Sequence, residues 1–561
     1  MNSKLCYSVV LGTALLLTGC GKKMNQFKAD YFTVNPNPLE VVGDKVPATV
    51  TGNIPGKFFV KNAEVTVTPY LEFGGMEVAS APYTFQGEKV RGNNPVVNFE
   101  NGGTVTIPVQ YVYNPDMRTS ELSLAFTVKQ GSKQYALPRV KVANGVVATA
   151  ALADVGTVNP AIAPDKFQRV INEKYDADIK FLINQANIRD GQLRSAEMQN
   201  LHKELVEAND DGRREIKEIN VTSYASPDGG VKLNTRLAEN REKNTVNYME
   251  GKLKKDHISN FGELTADFTP QDWEGFKKLV SASNIQDKEL ILSVLAMYKD
   301  PEQREREIKN LSSVFDQLAE EILPQLRYSR ITASIDVIGK SDEEIKNIYK
   351  VNPKGLTVDE ILYAATLTDD NEQRIQIYDT AASLYPNDYR TFNNLGMCQF
   401  LDQDYDAAQA CFQQAAKIAP ESGEAQMNLG LVALLNNNYK EATAKFGNAA
   451  GVPALADALG VYYMKQGDYN SAIRAFGDSK SNNAALAQIL TKDYSKAKAT
   501  LGAIDYPDAT TYYIAAVLGA RTNNSDMVYN NLREAFKLDK SLVNQAKTDL
   551  EFSRFNINSL F

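Results

Sequence analysis

Hydrophobic and polar positions alternate with period two in four stretches of the first 150 residues. Residues 46–51, 63–70, 104–113 and 122–129 are rich in valine, threonine and tyrosine, and side chains on a strand point alternately to the two faces of its sheet. Val65, Val67 and Pro69 alternate with Thr66, Thr68 and Tyr70, as in a sheet with one buried face. Asn-Gly-Gly, Gly-Gly and Asn-Pro-Asp between the stretches are turn chemistry. About seven short strands over residues 30–150 predict an immunoglobulin-like β-sandwich. Residues 150–164, alanine-rich with Asn-Pro and Ala-Pro steps, read as a linker.

Period two returns at Ile179, Phe181 and Ile183, a strand, before the spacing of Met198, Leu201 and Leu205 predicts a helix over 195–206. Ile219, Val221 and Ser223 then alternate with Asn220, Thr222 and Tyr224, and Ser226-Pro-Asp-Gly-Gly230 ends that strand. A second helix starts near Asn234. Leu237, Thr245, Val246 and Met249 form its inward stripe, with Arg236, Glu239, Arg241, Glu242 and Lys243 on its other faces. Residues 328–338 are a last strand, so 165–340 reads as an α+β domain of order β-α-β-α-β. A helical insertion over 255–319 is expected from Trp273, Phe276 and Leu279, from Leu290, Ile291, Val294 and Leu295, and from Ile308, Leu311, Val314 and Leu318. Trp273 is read as core.

The strand, turn and helix at 219–249 resemble the OmpA-like peptidoglycan-binding family, whose helix reads N-x-x-L-S-x-x-R-A-x-x-V. Asn234, Leu237 and Arg241 match, while Ala238, Glu242 and Thr245 stand in the other three places. The resemblance implies that Arg241 pairs with the carboxylate of a diaminopimelate stem peptide, a job suited to a guanidinium's fork of donors. It also implies an aspartate for the ammonium eight residues before the asparagine, where this chain has Ser226. Either Asp228 supplies that carboxylate from two residues further on, or the ammonium site is absent.

Residues 355–561 are repetitive. Leu395, Gly396, Ala408, Phe412 and Ala415 recur 34 residues later as Leu429, Gly430, Ala442, Phe446 and Ala449. An earlier copy ends with Tyr378, Ala381 and Pro386, which matches Pro420, and a later one holds Leu459, Gly460, Tyr463, Ala472 and Phe476. Tyr494 and Ala497 mark a truncated copy, and 512–538 a last degenerate helix pair. The pattern resembles the tetratricopeptide repeat, which implies an α-solenoid of helix pairs with a concave groove lined by the first helix of each pair. Asn393, Asn394, Gln426 and Asn428 are the groove-facing candidates, either bonding an extended peptide or a partner's helix, or simply solvated.

Composition narrows the function classes. A formal charge of −8 and the lack of a basic block argue against nucleic acid. His202 and His257 are the only histidines, too few for histidine-based catalysis or metal binding. Asp210, Asp211 and Asp228 lack any accompanying Gly-rich loop, nucleophile elbow or metal cluster, so we read no enzyme, cofactor or metal. Lys4, the apolar run 7–17 and Leu17-Thr18-Gly19-Cys20 resemble a bacterial lipoprotein signal over 1–19 followed by a lipobox. That implies acylation of Cys20 with a short linker over 20–29, each buried methylene contributing about 0.8 kcal/mol of membrane affinity. Gly21-Lys22-Lys23 carries no aspartate, which by the same resemblance implies the outer membrane, periplasm-facing. Cys398 and Cys411 lie in paired helices and are read as small buried apolar residues rather than a disulfide.

Together these readings predict a periplasmic adaptor lipoprotein that tethers the outer membrane to peptidoglycan and docks envelope proteins through its repeats. A second reading keeps the architecture but not the ligand: an assembly scaffold whose OmpA-like domain no longer binds the cell wall.

Overall fold

The computed structural model describes residues 24–561 except Gln286, Leu311 and Phe561, together with the side chains of all but 312–314 among them. The expected signal peptide 1–19, Cys20, Leu311 and the Val314 side chain therefore lie outside the description. The chain forms two compact units: 24–164 with 368–561, and 165–367.

In the first unit two sheets enclose one core. One has three strands, with Lys45–Ile54 between Phe32–Asn35 and Gly103–Val112. The other is built on Ala63–Phe73, Tyr83–Gly87, Glu121–Gln130 and Lys133–Asn144. Burial follows the period-two pattern residue by residue along Ala63–Phe73. Val46, Val50 and Ile107 from one sheet share a core with Val65, Val67, Leu71, Phe126 and Val128 from the other. Met24 and Phe27 join them, Phe27 stacking on Phe126 at 4.3 Å. The expected 20–29 linker is thus partly core; so short a stretch carries no period to reveal it.

The same unit holds five helix pairs, Tyr389–Leu401 with Tyr405–Ile418, Gly423–Leu435 with Tyr439–Gly447, Leu455–Gln466 with Tyr469–Phe476, Asn482–Leu490 with Tyr494–Gly502, and Ala509–Arg521 with Ser525–Leu538, preceded by Asn371–Leu384 and followed by the short Leu542–Thr548. Side chains of Asp404, Asn438, Asp468, Asp493 and Asn524 cap the second helices by accepting from free N–H groups of the first turn. Three of the pairs close so tightly that a Cβ on Gly396 would stand 2.8 Å from the Phe412 ring, one on Gly430 2.5 Å from that of Phe446, and one on Gly460 2.4 Å from that of Phe476. Small residues at these places let the two helices approach. Cys398 and Cys411 are free thiols, pushed up to about 12 and about 11 by burial. A turn of the sandwich meets the array where Gly43, at φ +65°, donates its N–H to Tyr469 Oη at 3.1 Å. A Cβ there would lie 2.4 Å from the Lys465 carbonyl oxygen.

The second unit is a four-stranded sheet in the order Val170–Lys180, Tyr328–Ile338, Arg214–Tyr224, Glu263–Thr269, the last pair parallel. Helices Ala196–Asp210 and Val231–Lys255 pack on one face through Met198, Leu201, Leu205, Met249 and Leu253 against Ile179, Ile219, Val221, Ile331 and Ile335. The first strand lies earlier than Ile179, Phe181 and Ile183 suggest, and Ile183 is exposed. The expected helical insertion 255–319 instead opens with the strand Glu263–Thr269. Its mostly exposed sequence, ELTADFT, lacks an apolar face to betray it. Helices then run from Trp273 to Gln317 around Phe276, Val280, Ile291, Leu295 and Ile308. Trp273 packs against this cluster and meets the Phe276 ring edge-on at 5.7 Å. The unit ends with Asp342–Val351 and Val358–Ala364, each begun by a capping box. The expected boundaries at 340 and 355 therefore move to 367.

Candidate functional site

Two places were expected to carry function, one in each unit. In the second unit the buried stripe of the helix Val231–Lys255 is Asn234, Ala238, Arg241, Thr245, Met249 and Leu253. Arg241 belongs to that stripe and not to a solvated face: it is 1% exposed. Its Nη1 donates to the Tyr224 carbonyl at 2.7 Å, its Nε to that of Gln185 at 3.0 Å and its Nη2 to that of Leu182 at 3.4 Å. The guanidinium lies 5.0 Å from the Phe181 ring centroid. Burial, helped by the nearby positive charge of Arg327 and opposed by Asp228, pulls its pKa down to about 10, so it remains charged at neutral pH. Nearby, Asn244 donates to the Ala186 carbonyl at 2.8 Å. The helix thus clamps the loop after the first strand by its backbone oxygens.

Asn234, also buried, donates to the carbonyls of Ser226 at 2.9 Å and Gly229 at 2.7 Å, fixing the turn. Ser226 donates to Asp228 Oδ1. Arg327, which the motif did not single out, donates to Ser226 Oγ and to Asp228 Oδ2, both at 3.1 Å. The structure therefore brings Asn234, Ser226 and Asp228 together around Arg327, while Arg241 turns inward to the backbone. Asp228 has a guanidinium for its carboxylate already, and Arg241 presents no open fork to a carboxylate from outside.

In the first unit the groove of the array is filled by the chain itself. Asn394 donates Nδ2 to the Ala163 carbonyl at 2.9 Å and accepts from the Ala163 N–H at 2.8 Å. Asn428 does the same to Ala161, at 2.8 and 2.7 Å. Asn393 adds a bond to the Ala161 carbonyl at 2.9 Å and accepts from Asn428 at 3.0 Å. Gln426 takes no part: it donates to the carbonyl of Pro420, in the turn just before its own helix, at 2.8 Å. The segment expected to be a linker runs along these side chains, through 3-10 turns at Thr149–Leu152 and Val155–Thr157 and then without regular structure, with Ala153, Val155, Val158, Ala161 and Ala163 buried. A backbone without a strand neighbour must find its hydrogen bonds elsewhere, and asparagine, with an amide NH2 donor and a carbonyl acceptor side by side in one plane, satisfies both groups of a residue at once.

Two further groove residues escaped the sequence reading. Asn483 accepts from the Asp154 N–H at 2.9 Å and donates to its carbonyl at 2.8 Å, and Lys465 donates to the Ala153 carbonyl at 2.6 Å. Burial lowers the pKa of Lys465, against the pull of Asp154 and Asp44. A signal for Asn483 exists. Asn394, Asn428 and Asn483 each stand eleven residues before the tyrosine that opens the second helix of the pair, Tyr405, Tyr439 and Tyr494. The copy opened by Tyr469 has Ala458 there. Nothing in the sequence marks Lys465.

Among the described residues no group of three histidine, cysteine or carboxylate side chains could hold a metal ion. No helix of the described residues is long and apolar enough to cross a membrane.

A family model described as tetratricopeptide repeat matches residues 402–453. No curated protein matches the chain significantly in sequence. Solved structures similar to this chain include a tetratricopeptide repeat protein from Parabacteroides merdae, 14% identical, over 37% of this chain and 91% of its own, with a TM-score of 0.30. Pseudomonas aeruginosa pilF is 13% identical over 39% and 100% at 0.27. PilW, a type IV pilus biogenesis factor, is 18% identical over 35% and 96%, also at 0.27. By the family match the chain carries tetratricopeptide repeats, a helical array suited to protein–protein interaction or assembly.

Proposed function

We propose that the chain is an envelope scaffold that acts by non-covalent protein association, held at a membrane by acylation of Cys20. In this reading its central unit keeps an OmpA-like architecture without the peptidoglycan site. The carrying observation is the commitment of Arg241 to three backbone carbonyls at 1% exposure. The partnering of Asp228 by Arg327 supports it. Tethering through a diaminopimelate stem peptide would need Arg241 to leave its carbonyls, stranding acceptors away from water at about 1–3 kcal/mol each. A scaffold needs no such opening, and the repeats supply the class of surface that assembly uses. In such a scaffold the repeat groove is an internal joint between sandwich and array, so partners meet other faces of the array or reach the groove only by displacing its occupant.

Sedimentation of the chain from residue 21 onward with purified peptidoglycan sacculi tests the reading. The protein is expected to stay in the supernatant. Sedimentation of wild type that Asp228→Asn abolishes would restore the tether.

A further inference from the structure

We infer that residues 153–164 are a displaceable internal ligand of the repeat groove, and that the groove's ligand in trans is an extended peptide with small side chains facing it. The inference rests on the scaffold reading and names both the partner class and the device that regulates it. Three observations carry it. First, the groove reads backbone: Asn394, Asn428 and Asn483 each hold the N–H and the carbonyl of one residue, Ala163, Ala161 and Asp154. Any peptide offers those groups. Second, the buried side chains of the segment are alanine, valine and proline, with Ala163 fully buried and Ala161 and Ala153 nearly so, while Thr157 Oγ1 accepts from Asn483 at 3.0 Å and Ile162 is 49% exposed. Selection is therefore by size: small residues fit inward, and outward positions are unconstrained. Third, residues 158–168 belong to no strand or helix, and the backbone groups of Ala161 and Ala163 are held by array side chains. The sandwich sheets do not retain them.

A tethered occupant competes at an effective concentration of order millimolar. A peptide in trans of equal intrinsic affinity is therefore excluded until the occupant is weakened, and exclusion in the resting chain is the regulation.

The test titrates a fluorescent peptide with the sequence of residues 151–165 onto the chain from residue 21 onward. Ala161→Glu with Ala163→Glu weakens the internal ligand but leaves every groove residue in place. The peptide is expected to bind this folded variant at least about tenfold more tightly than wild type, and Asn428→Leu in the same background is expected to abolish binding. Equal binding to wild type and variant, or binding that survives Asn428→Leu, overturns the inference. If the double variant does not fold, residues 165–168 are replaced by a protease site and the folded chain is cut there, freeing one end of the segment. Peptide binding then rises on cutting, and an unchanged signal overturns the inference. Sacculi binding involves the other unit, so its outcome stands apart from this one.

Discussion

Replacing Arg241 by methionine lowers the stability of the 165–367 unit by about 2–4 kcal/mol. Methionine fills much of the volume but donates nothing, so the carbonyls of Tyr224 and Gln185 lose bonds of 2.7 and 3.0 Å in a place closed to water. Each stranded buried acceptor costs about 1–3 kcal/mol, partly offset because the charge of the arginine no longer has to be desolvated. Arg241→Lys recovers only part of the loss, since an ammonium cannot reach three carbonyls along a fixed fork. Trp273, the chain's one tryptophan, lies in this unit, so denaturant unfolding followed by its fluorescence reads the effect in the full chain. A solvated arginine kept for an external ligand would give a change within about 0.5 kcal/mol.

The second large effect is expected in the groove. Asn428→Leu costs the first unit about 3 kcal/mol, because the buried N–H of Ala161 is left without its acceptor and Asn393 loses a donor. Gln426→Ala, two residues away on the same helix, costs under about 1 kcal/mol, since its Nε2 serves only the carbonyl of Pro420 in the turn before that helix and its Oε1 has no hydrogen-bond partner among the described residues. Unfolding followed by far-UV circular dichroism, which the repeat helices dominate, separates the two. Equal effects would mean that Asn428 has no occupant to hold.

The contrast between these neighbours also shows what could be read from the chain alone. The period of Gly396, Gly430 and Gly460 against Phe412, Phe446 and Phe476 reports helices that touch, because only glycine admits a ring at 2.4–2.8 Å from where a Cβ would be. Strands such as Ala63–Phe73 were legible because one face is buried throughout. The strand Glu263–Thr269 was not, because an edge strand with few buried positions has no such asymmetry. For the candidate sites, the motif drew attention to the helix Val231–Lys255 and the turn before it, but it does not carry the direction in which Arg241 points. Direction was set by carbonyls at 182, 185 and 224, two of them in a loop that no pattern links to the helix. Asn393, Asn394 and Asn428, three of the four groove candidates, hold the backbone of the chain's own residues 161 and 163, an occupant that no pattern in the sequence links to them. An alanine-rich stretch reads as a linker until its backbone partners are counted, because alanine's small side chain is what fits it beneath an asparagine row.

The most direct measurement is amide hydrogen exchange at Asp154, Ala161 and Ala163 in the full chain. If the groove is filled from within, the three N–H groups that end on Asn483, Asn428 and Asn394 exchange slowly, with protection comparable to helix amides such as that of Leu431. Exchange at the rate of an unstructured peptide would mean that the groove stands open, and the account of an internally occupied array would fall.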